Sequence, residues 1–80
     1  HNPVSQKVTF EYEPVETSYT ILKIFNVNGV IITTLLDQTV EGKASYSIEF
    51  NTDNLPNGIY YYSLKNEIEI IHGKLIKIQD

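Results

Sequence analysis

Cysteine, methionine, tryptophan and arginine are all missing from this chain of 80 residues. Without cysteine there is no disulfide, no thiolate nucleophile and no cysteine-based zinc site. Without arginine, all formal positive charge rests on six Lys+Arg residues, against ten acidic ones, for a net charge of −4. That balance argues against nucleic acid, whose phosphates call for a basic face. Long apolar runs are missing too. The longest near-apolar stretch, Val30-Ile31-Ile32-Thr33-Thr34-Leu35-Leu36, falls far short of the ~20 residues a membrane helix needs. Bases for work near neutral pH are scarce, with His1 and His72 as the two candidates. A chain of this length builds one hydrophobic core, so residues 1–80 are read as a single domain. The missing initial methionine leads us to expect a piece of a longer protein, and no signal peptide is visible.

What the chain does have is alternation with a period of two, the mark of strands with one buried face. In Lys7–Glu13, Val8, Phe10 and Tyr12 share one side, and Pro14 ends the run because it lacks an amide hydrogen. In Tyr19–Asn26, Leu22 and Ile24 lie opposite Lys23 and are placed inside; Ile21 and Phe25 share the face of Lys23. Asn26-Val27-Asn28-Gly29 reads as a tight turn, with Gly29 tolerating positive φ, and it joins this run to the β-branched Val30–Leu36 as a hairpin. Gln38-Thr39-Val40 reads as a short additional edge strand, and Gly42 punctuates the polar loop after it. In Ala44–Phe50, Tyr46, Ile48 and Phe50 point inward. Leu55-Pro56-Asn57-Gly58 is a turn leading into Ile59–Lys65, where Tyr60, Tyr62 and Leu64 face the core and Tyr61 faces out. Asn66-Glu67 suits a short turn. The last run, Ile68–Ile78, is interrupted by Gly73, so two strand pieces are expected, Ile68–His72 and Lys74–Ile78. The sum is an all-β, antiparallel β-sandwich.

No enzyme constellation emerges from these positions. The serines and threonines lie mostly on strand faces, and His72, beside Gly73, reads as a half-exposed strand residue rather than a base. Glu11 and Glu13 share a strand face at a spacing of roughly 7 Å, but two neighbours on one convex strand do not flank a cleft. Asn51-Thr52-Asp53-Asn54 offers oxygen ligands for calcium, yet it holds one carboxylate and reads better as a plain turn. No cofactor is implied. Tyr60-Tyr61-Tyr62 suggests a sugar platform until alternation turns two of the three rings inward. Lys74 and Lys77, near the end of an acidic chain, remain as an oddity; edge-strand lysines that block sheet-to-sheet pairing are the plain explanation.

The motifs in order are Asn2-Pro3, the hairpin Ile24 to Ile32, Gly42 ahead of Ser45–Phe50, then Leu55-Pro56-Asn57-Gly58-Ile59-Tyr60, and finally Gly73-Lys74-Leu75-Ile76-Lys77. As an ordered set this resembles the C-terminal sorting domain of type IX (Por) secretion substrates, type A class. The resemblance covers essentially the whole chain. It implies an Ig-like sandwich of about seven antiparallel strands, attached to an N-terminal cargo domain in the same chain. It also implies secretion to the cell surface, through the periplasm and outer membrane of a Gram-negative bacterium. Its partners would be the outer-membrane secretion machinery and a sortase-like cysteine protease that removes the domain. The motif positions carry over to Gly29, Gly42, Leu55, Pro56, Gly58, Tyr60, Lys74 and Lys77. The family usually has an acidic residue where Asn26 stands.

On this view most of the motif is scaffold. Tyr60 enters the core at a sheet corner, where its hydroxyl needs a backbone acceptor, and the last strand offers an edge with Lys74 and Lys77 to a receptor. The alternatives are a carbohydrate-binding sandwich of an extracellular enzyme or a passive spacer module. Self-association through edge strands also stays open.

Overall fold

The computed structural model describes residues 6–78. Among them lie six strands and no helix: β1 (Lys7–Tyr12), β2 (Ser18–Phe25), β3 (Ile31–Val40), β4 (Tyr46–Asn51), β5 (Gly58–Lys65) and β6 (Ile70–Lys77). They form a two-stranded sheet, β1-β4, and a four-stranded sheet ordered β3-β2-β5-β6, with every pairing antiparallel. Two connections are hairpins, β2–β3 and β5–β6. The other three cross between the sheets, which makes the fold sandwich-like.

The alternation read from the sequence becomes the core. Leu22 and Ile24 are fully buried, and Phe50, Tyr60 and Leu64 nearly so. Ile24, Phe50 and Tyr60 form the centre, with Phe10, Ile32, Leu35, Leu55, Tyr62 and Leu75 packed around them. Phe10 of the small sheet meets Tyr62 of the large one edge to face, ring centroids 5.0 Å apart. Each fully buried aliphatic side chain contributes about 1.5–3 kcal/mol, so a few such residues decide the stability of a domain this small.

Two expectations about the strands need correction, and together they reduce the eight runs read from the sequence to six strands among the described residues. Gln38-Thr39-Val40 is no separate strand, because it continues β3. That length is reached through two irregularities in the β2–β3 register, between Leu22 and Lys23 and between Ile24 and Phe25. Each leaves one β3 residue, Leu35 and Ile32 respectively, without an opposite number. An extra residue resets which side faces in, so Ile32 and Leu35 both reach the core although three positions apart. The same resets explain why Val30–Leu36 shows no clean alternation.

Gly73 does not divide the last strand either. β6 pairs with β5 from Ile70 to Lys77 without a break, and Gly73 stands opposite Tyr62. A Cβ on Gly73 would lie 2.1 Å from the Tyr62 ring. The glycine is there for space, to let the ring lie across the strand. The strand begins at Ile70 rather than Ile68, because Asn66 closes the turn: its Oδ1 accepts the amides of Ile68 and Glu69 at 2.8 and 2.9 Å. Asn2-Pro3 and His1 lie outside the described residues.

Candidate functional site

Gly29, Gly42, Leu55, Pro56, Gly58, Tyr60, Lys74 and Lys77 separate into three places. Gly29 sits alone at the tip of the β2–β3 hairpin with φ 79°. Asn26 holds that turn: its Oδ1 accepts the amides of Asn28 and Val30 at 2.9 and 3.0 Å. The position asks for an acceptor oxygen, which an aspartate supplies equally. Gly42 lies at the opposite end of β3. Its amide donates to Thr17 Oγ1 at 3.0 Å, and a Cβ there would come within 2.5 Å of the Glu16 backbone.

The remaining six gather around the crossing from β4 to β5 and on β6. Gly58 has φ 151°, a value that lets the chain swing into β5 directly after Pro56. Tyr60 then enters the core at 8% exposure. Its hydroxyl donates to the carbonyl of Pro56 at 2.6 Å. This is the tyrosine corner expected from the sequence, at the start of the strand after a sheet crossing, where Ig-like sandwiches place it.

Lys77 departs from expectation. It is 4% exposed, and so is not displayed. Its ammonium donates to the carbonyl of Thr52 and, at 2.9 Å, to that of Leu55. Alternation is the reason: Lys77 pairs with Gly58 on the inward side of β6, in line with Leu75. Gly58 has no side chain to fill that place. A buried ammonium is tolerated when carbonyl oxygens replace its water. Lys74, by contrast, is exposed on the outer face, opposite Tyr61.

The loop that receives Lys77 also receives the start of β1. The Gln6 amide donates to Asp53 Oδ1 at 2.8 Å, and the Gln6 carbonyl accepts from the Thr52 amide at 2.9 Å and its hydroxyl at 3.2 Å. Gln6 Nε2 then donates to the carbonyl of Ile78 at 2.9 Å. Residues near the two ends of the chain thus meet on one loop. A groove of about 580 Å³ opens here, with Phe50, Leu55 and Leu75 in its lining. At the other end of β1, Tyr12 Oη donates to Glu69 Oε2 at 3.2 Å and accepts from Asn66 Nδ2 at 2.8 Å. Burial first, and then the Glu69 carboxylate, push the Tyr12 phenol above its ordinary value.

Sequence reasoning missed Gln6 and Thr52, whose bonds join positions far apart in the chain. It assigned Gly73 the wrong task, although a glycine in line with three consecutive tyrosines was a signal. The candidates that it set aside have plain surroundings. Asn51 Oδ1 accepts the Asp53 amide at 2.8 Å as an ordinary turn. Glu11, Glu13 and His72 are exposed. Among the described residues no three His, Cys, Asp or Glu side chains gather to hold a metal, and no helix is long and apolar enough to cross a membrane.

Set against known families, residues 2–79 match the model of the secretion system C-terminal sorting domain. Neither the curated proteins nor the solved structures contain a match.

Proposed function

The chain belongs to the Por family of secretion-system C-terminal sorting domains, and from that premise we propose how its signal is divided between scaffold and address. It is a non-catalytic sorting signal for type IX secretion, a role that implies contact with the secretion machinery and export toward the cell surface. In our reading, Gly29, Gly42, Leu55, Pro56, Gly58, Tyr60 and Lys77 fix the shape. The address is the outer side of β6, an edge strand that presents Lys74. The domain, residues 1–80, follows its cargo in the same chain, belongs to the type A class, and is removed by a sortase-like cysteine protease after export.

The observation that carries the division is the burial of Lys77 between two carbonyls while Lys74 is exposed. A buried ammonium cannot be touched by a receptor unless the strand comes away, whereas the edge of β6 is open to strand addition. Lys77 therefore serves recognition by holding the end of β6 down.

The test is a secretable reporter fused to residues 1–80. Lys74→Glu is expected to reduce export with the melting temperature unchanged. Lys77→Met is expected to reduce export in proportion to its loss of stability. Full export by Lys74→Glu would reject the address. Export abolished by Lys77→Met with stability intact would show that the lysine itself is read.

A further inference from the structure

The large sheet is apolar on both faces, and only one is covered. On its outer face Phe25 pairs with Ile31 on one side and with Tyr61 on the other. Ile59 pairs with Ile76 in the neighbouring row. Tyr61 is 42% exposed, Ile59 39% and Ile76 61%. An antiparallel sheet with one solvated face normally keeps that face polar, and a contiguous apolar patch rimmed by charge marks an interaction surface.

The rim has one predominant sign. Lys23, Lys65 and Lys74 stand on this face of a chain whose net charge is −4. Asp37 is on it as well, where it already accepts the Tyr19 hydroxyl, and Glu67 lies at its far end beside Lys65. The outer face of the small sheet is its opposite in kind. Thr9, Glu11, Ser47 and Glu49 are exposed there, with Lys7 3.6 Å from Glu49.

We propose that the outer face of β3-β2-β5-β6 docks an acidic protein surface with an apolar centre. Three lysines around the patch seek carboxylates, and charge complementarity sets the orientation of such a contact. A second copy fits poorly. Face to face, it would bring three lysines from each copy together with few carboxylates to meet them, since Asp37 already accepts from Tyr19 and Glu67 lies at the far end. Presenting its small sheet instead, it would bring a polar surface to an apolar one. A sugar chain fits less well too, because the two adjacent rings, Phe25 and Tyr61, are flanked by aliphatic Ile31, Ile59 and Ile76, and the third outer ring, Tyr19, lies six residues from Phe25 along β2, roughly 20 Å away. The docking face rests on the sorting reading for the cell in which the partner is sought. It extends the address from β6 to lysines on β2 and β5.

The experiment places p-benzoylphenylalanine at position 61 of the full-length cargo in a cell with a working type IX system. Irradiation should give an adduct with another protein, joined at a peptide rich in Asp and Glu. The pair Lys23→Glu and Lys65→Glu, both away from the tail strand, should lower its yield at least about tenfold at unchanged melting temperature. Should that pair fail to fold, Lys23→Gln with Lys65→Gln replaces it, with a loss of about threefold expected. The same probe at Thr9, on the opposite face, should not give this adduct. An exported cargo without an adduct overturns the docking face and leaves the sorting reading standing. So does an adduct of twice the chain's mass, one to a glycan or lipid, one joined at a peptide without acidic residues, or one indifferent to the lysine changes. If the unmodified cargo is not exported, the sorting reading fails first and the docking face with it.

Discussion

Asn26 and Asn66 close the two hairpins of the large sheet in the same manner, each with one side-chain oxygen accepting two backbone amides. Beyond the turns the hairpins differ. β2–β3 is specified largely within itself, by Leu22 and Ile24 inside, by a glycine at positive φ, and by register shifts that keep Ile32 and Leu35 in the core. β5–β6 is held by groups from elsewhere in the chain. The Pro56 carbonyl takes Tyr60, the carbonyls of Thr52 and Leu55 take Lys77, Gln6 reaches Ile78, and Tyr12 reaches Glu69. β6, one of the sheet's two edge strands, is thus the one whose seating depends on the rest of the domain having formed. An edge offered to a receptor and seated this way presents itself correctly only in a folded domain.

The sharpest way to break the comparison is to remove the corner of the dependent hairpin. Tyr60→Ala deletes a core ring and leaves the Pro56 carbonyl without its donor, at a cost of about 3–5 kcal/mol. For a domain of marginal stability this approaches the whole of it. Thermal unfolding followed by circular dichroism reads the loss, and a shift of only a few degrees would remove Tyr60 from the centre of the core.

Lys77→Met is next. Methionine keeps much of the stem's volume but abandons two buried carbonyls, at a cost of about 2–4 kcal/mol, or on the order of 10–20 °C in melting temperature. The comparison is sharpened by hydrogen exchange on the same variant. Amides of β6 should lose protection first, while those of Leu22 and Ile24 keep theirs until global unfolding. Equal loss in both hairpins would mean that the large sheet opens as one unit.

A smaller effect separates space from flexibility at Gly73. Gly73→Ala pushes a methyl into the Tyr62 ring and costs about 1–3 kcal/mol. In a background of Tyr62→Leu, which shortens the obstructing side chain, most of that cost should vanish. Additive losses in the double variant would return Gly73 to the role of a backbone hinge.

These cases also show what could be read from the sequence. Leu22, Ile24, Phe50, Tyr60 and Leu64 were legible as core because alternation is a local property, and Gly29 because its turn spans a few residues. Even the hydroxyl bond of Tyr60 was foreseeable, since its acceptor lies four residues upstream in a turn marked by proline and glycine. Lys77 was misread because charge argues for exposure, and the carbonyls that take its ammonium lie on a loop more than twenty residues earlier. Gln6 was invisible for the same reason. Ile32 and Leu35 were obscured by register shifts that no spacing rule reveals. The parts of the candidate site that eluded the sequence are those whose hydrogen-bond partners are distant along the chain.

The smallest effect is alkaline and touches both hairpins. Tyr12 anchors β1 to the β5–β6 turn through Glu69, and Tyr19 bonds to Asp37 within the pair β2–β3. Both phenols are raised above 10.0, Tyr12 by burial and then by Glu69, Tyr19 by the hydrogen bond to Asp37 and then by burial. A folded-state value above the unfolded one means that the fold favours the protonated hydroxyl. The stabilisation is therefore complete below the unfolded value near 10.0 and is lost as pH rises through the folded value. Urea midpoints should hold level from neutral pH to about pH 9 and decline above about pH 10. Tyr12→Phe and Tyr19→Phe should each remove part of that decline while lowering stability at neutral pH. If only Tyr12→Phe flattens the alkaline limb, the titrating link between distant segments is the one that matters, and Tyr19–Asp37 is a surface contact of little weight. A steeper alkaline limb in Tyr12→Phe than in the parent would reverse the sign and place the Tyr12 phenol below its unfolded value.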